Sequence, residues 1–192
     1  MAHISSIGAG MYSDLSVSKD ATLLEAVKVA ILGGTGLEDA FKNCFSASEF
    51  TAADAIRIRN VREFPSMGTP PNIVNVPVYG QATSQQIQGQ SDAPSMELTL
   101  NYIATDWAAG TSLGDMVGDG KQYVLRFALL NNEPPGFSSA AAGLGQVENS
   151  QYFWIGKLEA LLVNPQLTDA NTATLTISMQ SDMYGAYTDA SA

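Results

Sequence analysis

Met96 to Tyr102 alternates strictly: Met96, Leu98, Leu100 and Tyr102 fall on one face, Glu97, Thr99 and Asn101 on the other. A period of two residues is the signature of a strand with one buried and one wet face. Three later stretches repeat it. Tyr123, Leu125, Phe127 and Leu129 alternate with Gln122, Val124, Arg126 and Ala128. Tyr152, Trp154, Leu158 and Leu162 share a face with Gly156 and Ala160. Ala173, Leu175, Ile177 and Met179 alternate with Thr174, Thr176, Ser178 and Gln180. The pattern predicts strands over Met96–Ile103, Gln122–Leu130, Gln151–Val163 and Thr172–Ser181, with Tyr102, Phe127, Trp154 and Ile177 on the faces of one core.

The first half is more mixed. Met1–Val17 is weakly patterned and reads as a partly extended arm; a free tail has the same composition. Ser18–Leu32 is the best helix candidate: Ser18 is placed to cap, Leu24, Val27 and Ile31 share a face, and Gly33-Gly34 stops it. Its β-branched Val27, Val29 and Ile31 leave a strand open as the alternative. Leu37–Phe45 reads as a second short helix. Ala55–Phe64 reads as a strand with a phase slip at Asn60-Val61, the mark of a bulge.

Pro65–Pro94 is a long excursion, a protruding hairpin or loop with no core pattern. Ile73–Tyr79 is extended, but Pro77 confines it to an edge or a bulge. Gln81–Pro94 is Gln-rich, and loops this long are usually functional or disordered. Within Asp106–Gly120, Ser112 followed by Asp115 resembles a capping box, and Leu113, Met116 and Val117 give a short apolar helix face. Asn131–Asn149 is a low-complexity loop. Asp182–Ala192 reads as a loose tail that Tyr184 and Tyr187 are able to dock. The whole, 1–192, is expected to be a single domain with no internal repeat.

Composition narrows the function. Nine Lys plus Arg against nineteen Asp plus Glu give a net charge of −10, which argues against groove binding to nucleic acid or docking on anionic lipid. Only 15% of the residues are charged, against about 25% in typical soluble domains. Ala, Ser, Thr, Gln and Asn take the place of charge, as suits surface that becomes interface. The start lacks a charged region followed by an apolar run, so no secretory signal is expected, and no apolar run is long enough to span a bilayer.

Catalytic chemistry is poorly supplied. His3 is the only histidine and Cys44 the only cysteine. A Ser-His-Asp or Cys-His site would depend on one position in the arm, and His- or Cys-based metal sites lack ligands. Gly33-Gly34-Thr35-Gly36 lacks the Lys-Ser/Thr of a phosphate loop and reads as a helix stop. Asp115 and Asp119 lack the ligand ladder of a calcium loop. Arg57, Arg59 and Arg62 are expected to pair with carboxylates across strands. Trp107 and Trp154 read as core or interface. The expectation is a protein without enzymatic activity, metal or cofactor.

The order of these elements resembles a known family. A Ser-Met-Glu-Leu-Thr-Leu-Asn-Tyr strand is followed by Asp106 and a short Leu/Met helix ending in Gly. An aromatic–Arg–aromatic strand (Tyr123, Arg126, Phe127), a loop and a Tyr-Phe-Trp-Ile-Gly strand complete it. Over roughly Ala55–Met179 this is similar to the major tail tube protein of long-tailed, siphovirus-type bacteriophages. The resemblance implies a mainly β fold: a β-sandwich or half-barrel of antiparallel strands with one short packed helix, here with an additional N-terminal helix. That helix and the lack of a C-terminal immunoglobulin-like decoration depart from the family pattern.

The resemblance also implies a structural virion protein that forms hexameric rings stacked into a hollow tube, through which DNA passes into the host. Its partners would be copies of itself, tape-measure, tail-tip and terminator proteins, and genomic DNA crossing the lumen without specific binding or membrane insertion. It would be located in the virion tail after assembly in the host bacterial cytoplasm. On this reading Phe64, Pro65, Tyr79, Gln85, Gln86 and Gln88 lie between subunits. Glu97, Thr99 and Asn101 face the lumen, with Thr174, Thr176 and Ser178 as a second polar face. One alternative is the tube subunit of a contractile phage tail or secretion system. Another is a carbohydrate-binding or hydrolytic β-sandwich, with carboxylates drawn from Glu97, Glu148 and Glu159.

Overall fold

A computed structural model describes residues 13–68, 73–80, 82–89, 95–110, 112–129 and 150–188. The N-terminal arm up to Tyr12, the Asn131–Asn149 loop, Glu148 and the end of the C-terminal tail lie outside them. The strands are β1 (Asp14–Ser18), β2 (Ala55–Ile58), β3 (Val61–Glu63), β4 (Ile73–Val76), β5 (Gln85–Gln88), β6 (Ser95–Asn101), β7 (Tyr123–Ala128), β8 (Ser150–Asn164), β9 (Thr172–Met179) and β10 (Tyr184–Thr188). The helices are α1 (Ala21–Gly33), α2 (Leu37–Asn43), α3 (Ala47–Thr51), α4 (Ala104–Trp107) and α5 (Ser112–Met116). The fold is mainly β and antiparallel, as the alternation predicts.

The main sheet runs β2-β1-β7-β8-β9-β6-β3, with β10 added on β8. Its two terminal strands are consecutive in the chain, separated only by Arg59 and Asn60. Asn60 sits at φ 62, in the left-handed region that few non-glycine residues adopt. One stretch, 55–63, therefore pairs with β1 through its first half and with β6 through its second. The sheet closes on itself as a barrel, and closure removes the two open edges. The predicted slip at Asn60-Val61 is the point where the strand changes partner.

The barrel core takes the inward faces in turn: Leu15 and Val17, Ile56 and Ile58, Met96, Leu98 and Leu100, Tyr123, Leu125 and Phe127, Trp154 and Leu158, and Ala173, Leu175, Ile177 and Met179. Trp107, Leu113 and Met116 of α4 and α5 join it. Tyr102, Phe127, Trp154 and Ile177 thus share one core, as expected. Both tryptophans are buried.

A second apolar layer lies outside the barrel. Leu24, Val27, Phe41, Cys44, Phe45 and Phe50 pack on the outward faces of Ala55, Val124, Phe153 and Ile155. Phe41 stacks on Phe153, centroids 5.2 Å apart. This layer overturns the expectation of a wet face on the Gln122–Leu130 strand: Val124, Arg126 and Ala128 are buried beneath the helices.

Several boundaries also change. Residues 14–17 are not arm but β1, buried along its whole length between β2 and β7. Ser18 belongs to that strand. The cap of α1 is instead Asp20, whose carboxylate accepts from the Thr22 and Leu23 amides at 2.6 and 3.1 Å. Gly34, at φ 65, ends α1 in the left-handed conformation the Gly-Gly pair foretells. The segment over Asp106–Gly120 is two short helices, and Asp115 accepts from the Gly110 amide at 2.9 Å. Residues 184–188 are not a tail but β10, docked by Tyr184 and Tyr187 against Phe41 and Phe153. Within β8 the register shifts between Leu158 and Ala160. After this bulge Leu161 pairs with core residue Leu175, and Leu162 is 61% exposed instead of joining the Trp154 face.

Candidate assembly surfaces

The Pro65–Pro94 excursion carries the one two-stranded sheet among the described residues. β4 pairs with β5 in register, Ile73 opposite Gln88, Val74 opposite Ile87, Asn75 opposite Gln86 and Val76 opposite Gln85. Neither strand joins the barrel sheet. Pro77 lies just beyond β4, where its missing N–H removes nothing from the ladder. The ribbon exposes Ile73, Val74, Val78, Tyr79 and Ile87, with Tyr79 fully open to solvent. Gln85, Gln86 and Gln88 are exposed as well. The exposed apolar residues are thus gathered on one element that is separate from the barrel sheet.

The two residues at the root of the excursion differ from these. Phe64 is half-buried and packs edge-on against Phe127, centroids 5.2 Å apart. Pro65 beside it is also partly covered. Phe64 therefore has a structural role within its own barrel.

A second surface is the outward face of β6, β9 and β8, which no described helix covers. Glu97 pairs with Thr176, Thr99 with Thr174, and Asn101 with Thr172. Thr176 in turn faces Ala160, Thr174 faces Leu162 and Ser178 faces Lys157. Glu97 and Asn101 are exposed and Thr99 is half-buried. Glu159, at the β8 bulge, accepts a hydrogen bond from the Ser178 hydroxyl at 2.5 Å. The face is a hydroxyl-rich wall with few charges. Sequence alternation brings Glu97, Thr99 and Asn101 to one face; the pairing of β6 with β9 extends it with the second polar series.

Beneath the helices lies a polar layer that the alternation does not reveal. Arg57 Nε donates to Asp14 Oδ1 at 2.7 Å, and Arg126 approaches Asp14 Oδ2 at 3.4 Å. The Ser16 hydroxyl donates to the same carboxylate at 2.8 Å. The Arg126 guanidinium lies 4.7 Å from the centroid of the Phe45 ring and 5.4 Å from that of Phe50. Each of the three arginines meets a carboxylate, but only Arg57 does so across strands as expected; Arg59 pairs with Asp106 of α4 at 2.9 Å and Arg62 with Asp169 of the β8–β9 turn at 3.6 Å.

Asp20, Glu49 and Asp54 bring carboxylate oxygens within 4.8 Å of one another. Burial, then the neighbouring Asp20 and Asp54 charges, push the Glu49 carboxyl above its ordinary range. Asp20 is already the α1 cap, and Asp54 is paired with Lys19 at 3.7 Å. Glu49 and Asp54 flank the end of α3, five positions apart, and Asp20 joins them from the start of α1.

No family model matches the chain, and no curated protein matches it. Solved structures do show likeness. A chain in the six-fold symmetrised baseplate of the anti-feeding prophage is 10% identical, with a TM-score of 0.48 over 69% of this chain and 85% of that one. A chain in the sheath/tube terminator of an extracellular contractile injection system is 11% identical, with a TM-score of 0.43 over 67% of this chain and 87% of that one. A chain in the tube-terminating cap of the anti-feeding prophage is 12% identical, with a TM-score of 0.40 over 67% of this chain and 80% of that one.

Proposed function

We propose that this chain is a structural, non-enzymatic subunit that assembles into stacked hexameric rings, forming the hollow tail tube of a bacteriophage. The observation that carries the reading is the β4–β5 ribbon, held outside the barrel with its apolar side chains in solvent. A closed barrel has no need of such an element for its own stability. A ring is a head-to-tail contact that closes, and stacking requires a further surface on each subunit. The ribbon is material for one of these contacts. The order of strand motifs across Ala55–Met179 supports the same reading.

The wall of β6, β9 and β8 suits a conduit for DNA. A cationic lining would hold phosphates through counterion release and slow their passage, whereas hydroxyls and a carboxylate give them little grip. The net charge of −10 works in the same direction. On this reading Tyr79, Gln85, Gln86 and Gln88 meet neighbouring subunits, and Glu97, Thr99 and Asn101 line the channel. Tape-measure, tail-tip and terminator proteins are the other partners, and the particle assembles in the host bacterial cytoplasm.

Negative-stain electron microscopy of the concentrated protein tests the reading. Hollow tubes with six-fold end views are the expected result. Particles that stay monomeric at all concentrations overturn it. A sheath around the tube in the source particle would place the protein in a contractile system.

A further inference from the structure

Among the described residues, one unpaired strand edge stands out. β8 is far longer than β7, which pairs with it only from Gln151 to Gly156. The Gly118 amide covers the next step by donating to the Leu158 carbonyl at 2.8 Å. Beyond the bulge, Ala160 to Asn164 pair with β9 on one side. On the other side no partner strand is found among the described residues.

Soluble proteins blunt such an edge with charge, proline or a twist. Here the free half-edge reads Ala-Leu-Leu-Val-Asn, with no charged residue and no proline before Pro165. Leu162 is 61% and Val163 45% exposed beside it. The bulge that carries Glu159 ends before this stretch begins. An edge left bare in this way is ready to accept another strand.

The ribbon has the complementary need. A two-stranded hairpin is marginal in water, and a third strand is what stabilises it. Neither β4 nor β5 contains a charged residue, and β4 supplies Ile73, Val74 and Val76, side chains that favour a pleated surface. Within the described chain the ribbon is hydrogen-bonded only to itself as a sheet.

The geometry points to β4 of a neighbouring copy as the strand that adds to the free edge of β8, so that each ribbon becomes part of the next subunit's sheet. Main-chain hydrogen bonds would give the affinity and the exposed Leu162 and Val163 the side-chain contacts. This inference rests on the proposed self-assembly and specifies one of its contacts.

Cysteine pairs test it in a Cys44→Ser background. Val163→Cys protein is mixed with Val74→Cys protein, or with Asn75→Cys to sample the other face, assembled and then oxidised. The expected product is a mixed covalent dimer, absent when either variant is oxidised alone. Cross-links only between like variants overturn the inference. Assembly without any mixed cross-link also overturns it, while leaving the proposed function standing. Failure of the unmodified protein to assemble removes both. Separately, Leu162→Lys places a charge on the free edge. It should leave the thermal midpoint unchanged and raise the critical concentration for assembly about tenfold or more, which is roughly 1.4 kcal/mol per contact. An unchanged critical concentration sinks the proposal.

Discussion

Arg57 and Asp14 meet across the first two strands of the barrel, Nε to Oδ1 at 2.7 Å, with both side chains almost wholly buried. The pair joins an N-terminal strand to a residue more than forty positions later. It lies between the sheet and the helical layer, beside the Arg126 guanidinium and the Phe45 and Phe50 rings. A buried charge left without its counter-ion is far more costly than a pair replaced as a whole.

Asp14→Ala should therefore destabilise the protein by about 3–5 kcal/mol, since it removes the buried carboxylate that both Arg57 and Arg126 reach. A double variant, Asp14→Leu with Arg57→Met, should recover part of that loss. Urea denaturation of both variants checks the claim. A cost below about 1 kcal/mol for Asp14→Ala, the range of exposed pairs, would show that water reaches the layer.

Phe127 lies in the barrel core and carries the half-buried Phe64 ring against its edge. Phe127→Ala should cost about 3–5 kcal/mol, the range for removing a buried aromatic side chain. Phe64→Ala should cost less. A double-mutant cycle in chemical denaturation should show coupling of about 0.5–1.5 kcal/mol between the two rings. Additive losses would mean that the rings do not touch in solution.

Gly156 is set where β7, β8 and β9 crowd together. A methyl group there would meet the Ser178 carbonyl oxygen at 2.8 Å and Leu125 Cδ1 at 2.9 Å. Backbone cannot yield as a flexible side chain can. Gly156→Ala should lower stability by about 1–3 kcal/mol, as other overpacked cores do. Gly120→Ala meets no neighbouring atom but sits at φ 74, so its cost should come from backbone conformation alone. Thermal midpoints of the two variants separate these causes.

Cys44 is buried in the helical layer, and its thiol donates to the Ala40 carbonyl at 3.4 Å. Burial, reinforced by the Asp20 and Glu49 charges, pushes the thiol up to about 12 from an ordinary 9.0. The unfolded chain releases this proton from about pH 9, and the folded chain keeps it until about pH 12. Stability should therefore be fully present below pH 9 and fall as pH rises through that window. Tyr123 shifts in the same direction, through burial and its bond to Asp119. Cys44→Val should flatten the alkaline decline without abolishing it. Thiol reagents at pH 8 should label the native protein only at the rate of unfolding; rapid labelling would contradict the burial.

Glu97 lies on the exposed face that the proposed tube turns toward DNA. Glu97→Lys in every subunit would add a cationic belt without disturbing the core. Particles of normal appearance with impaired DNA ejection are expected, most strongly at low salt, where each phosphate contact is worth most. Unchanged ejection at low salt would remove Glu97 from the channel.

The sequence by itself determined the strands whose faces differ. Met96–Tyr102 and Thr172–Met179 are wet on one side, so alternation reports both their conformation and their core residues. It also determined the end of α1, because Gly34 is the residue suited to its left-handed cap. The excursion was legible as a segment without a core pattern, and its extended part as a strand near Pro77. What only the tertiary structure decided lies where burial is two-sided or the partner is distant. β1 is buried on both faces and reads Asp-Leu-Ser-Val-Ser; its polar residues suggest solvent until Arg57 and Arg126 arrive from other strands to meet them. β10 owes its order to β8 and to the Phe41 and Phe153 rings. The bulge after Leu158 turned Leu162 outward, since a shift of one position exchanges the faces of a strand. The phase slip within 55–63 marked a break at Asn60-Val61, but that the strand there changes partner and closes the barrel follows from where β1 and β6 lie.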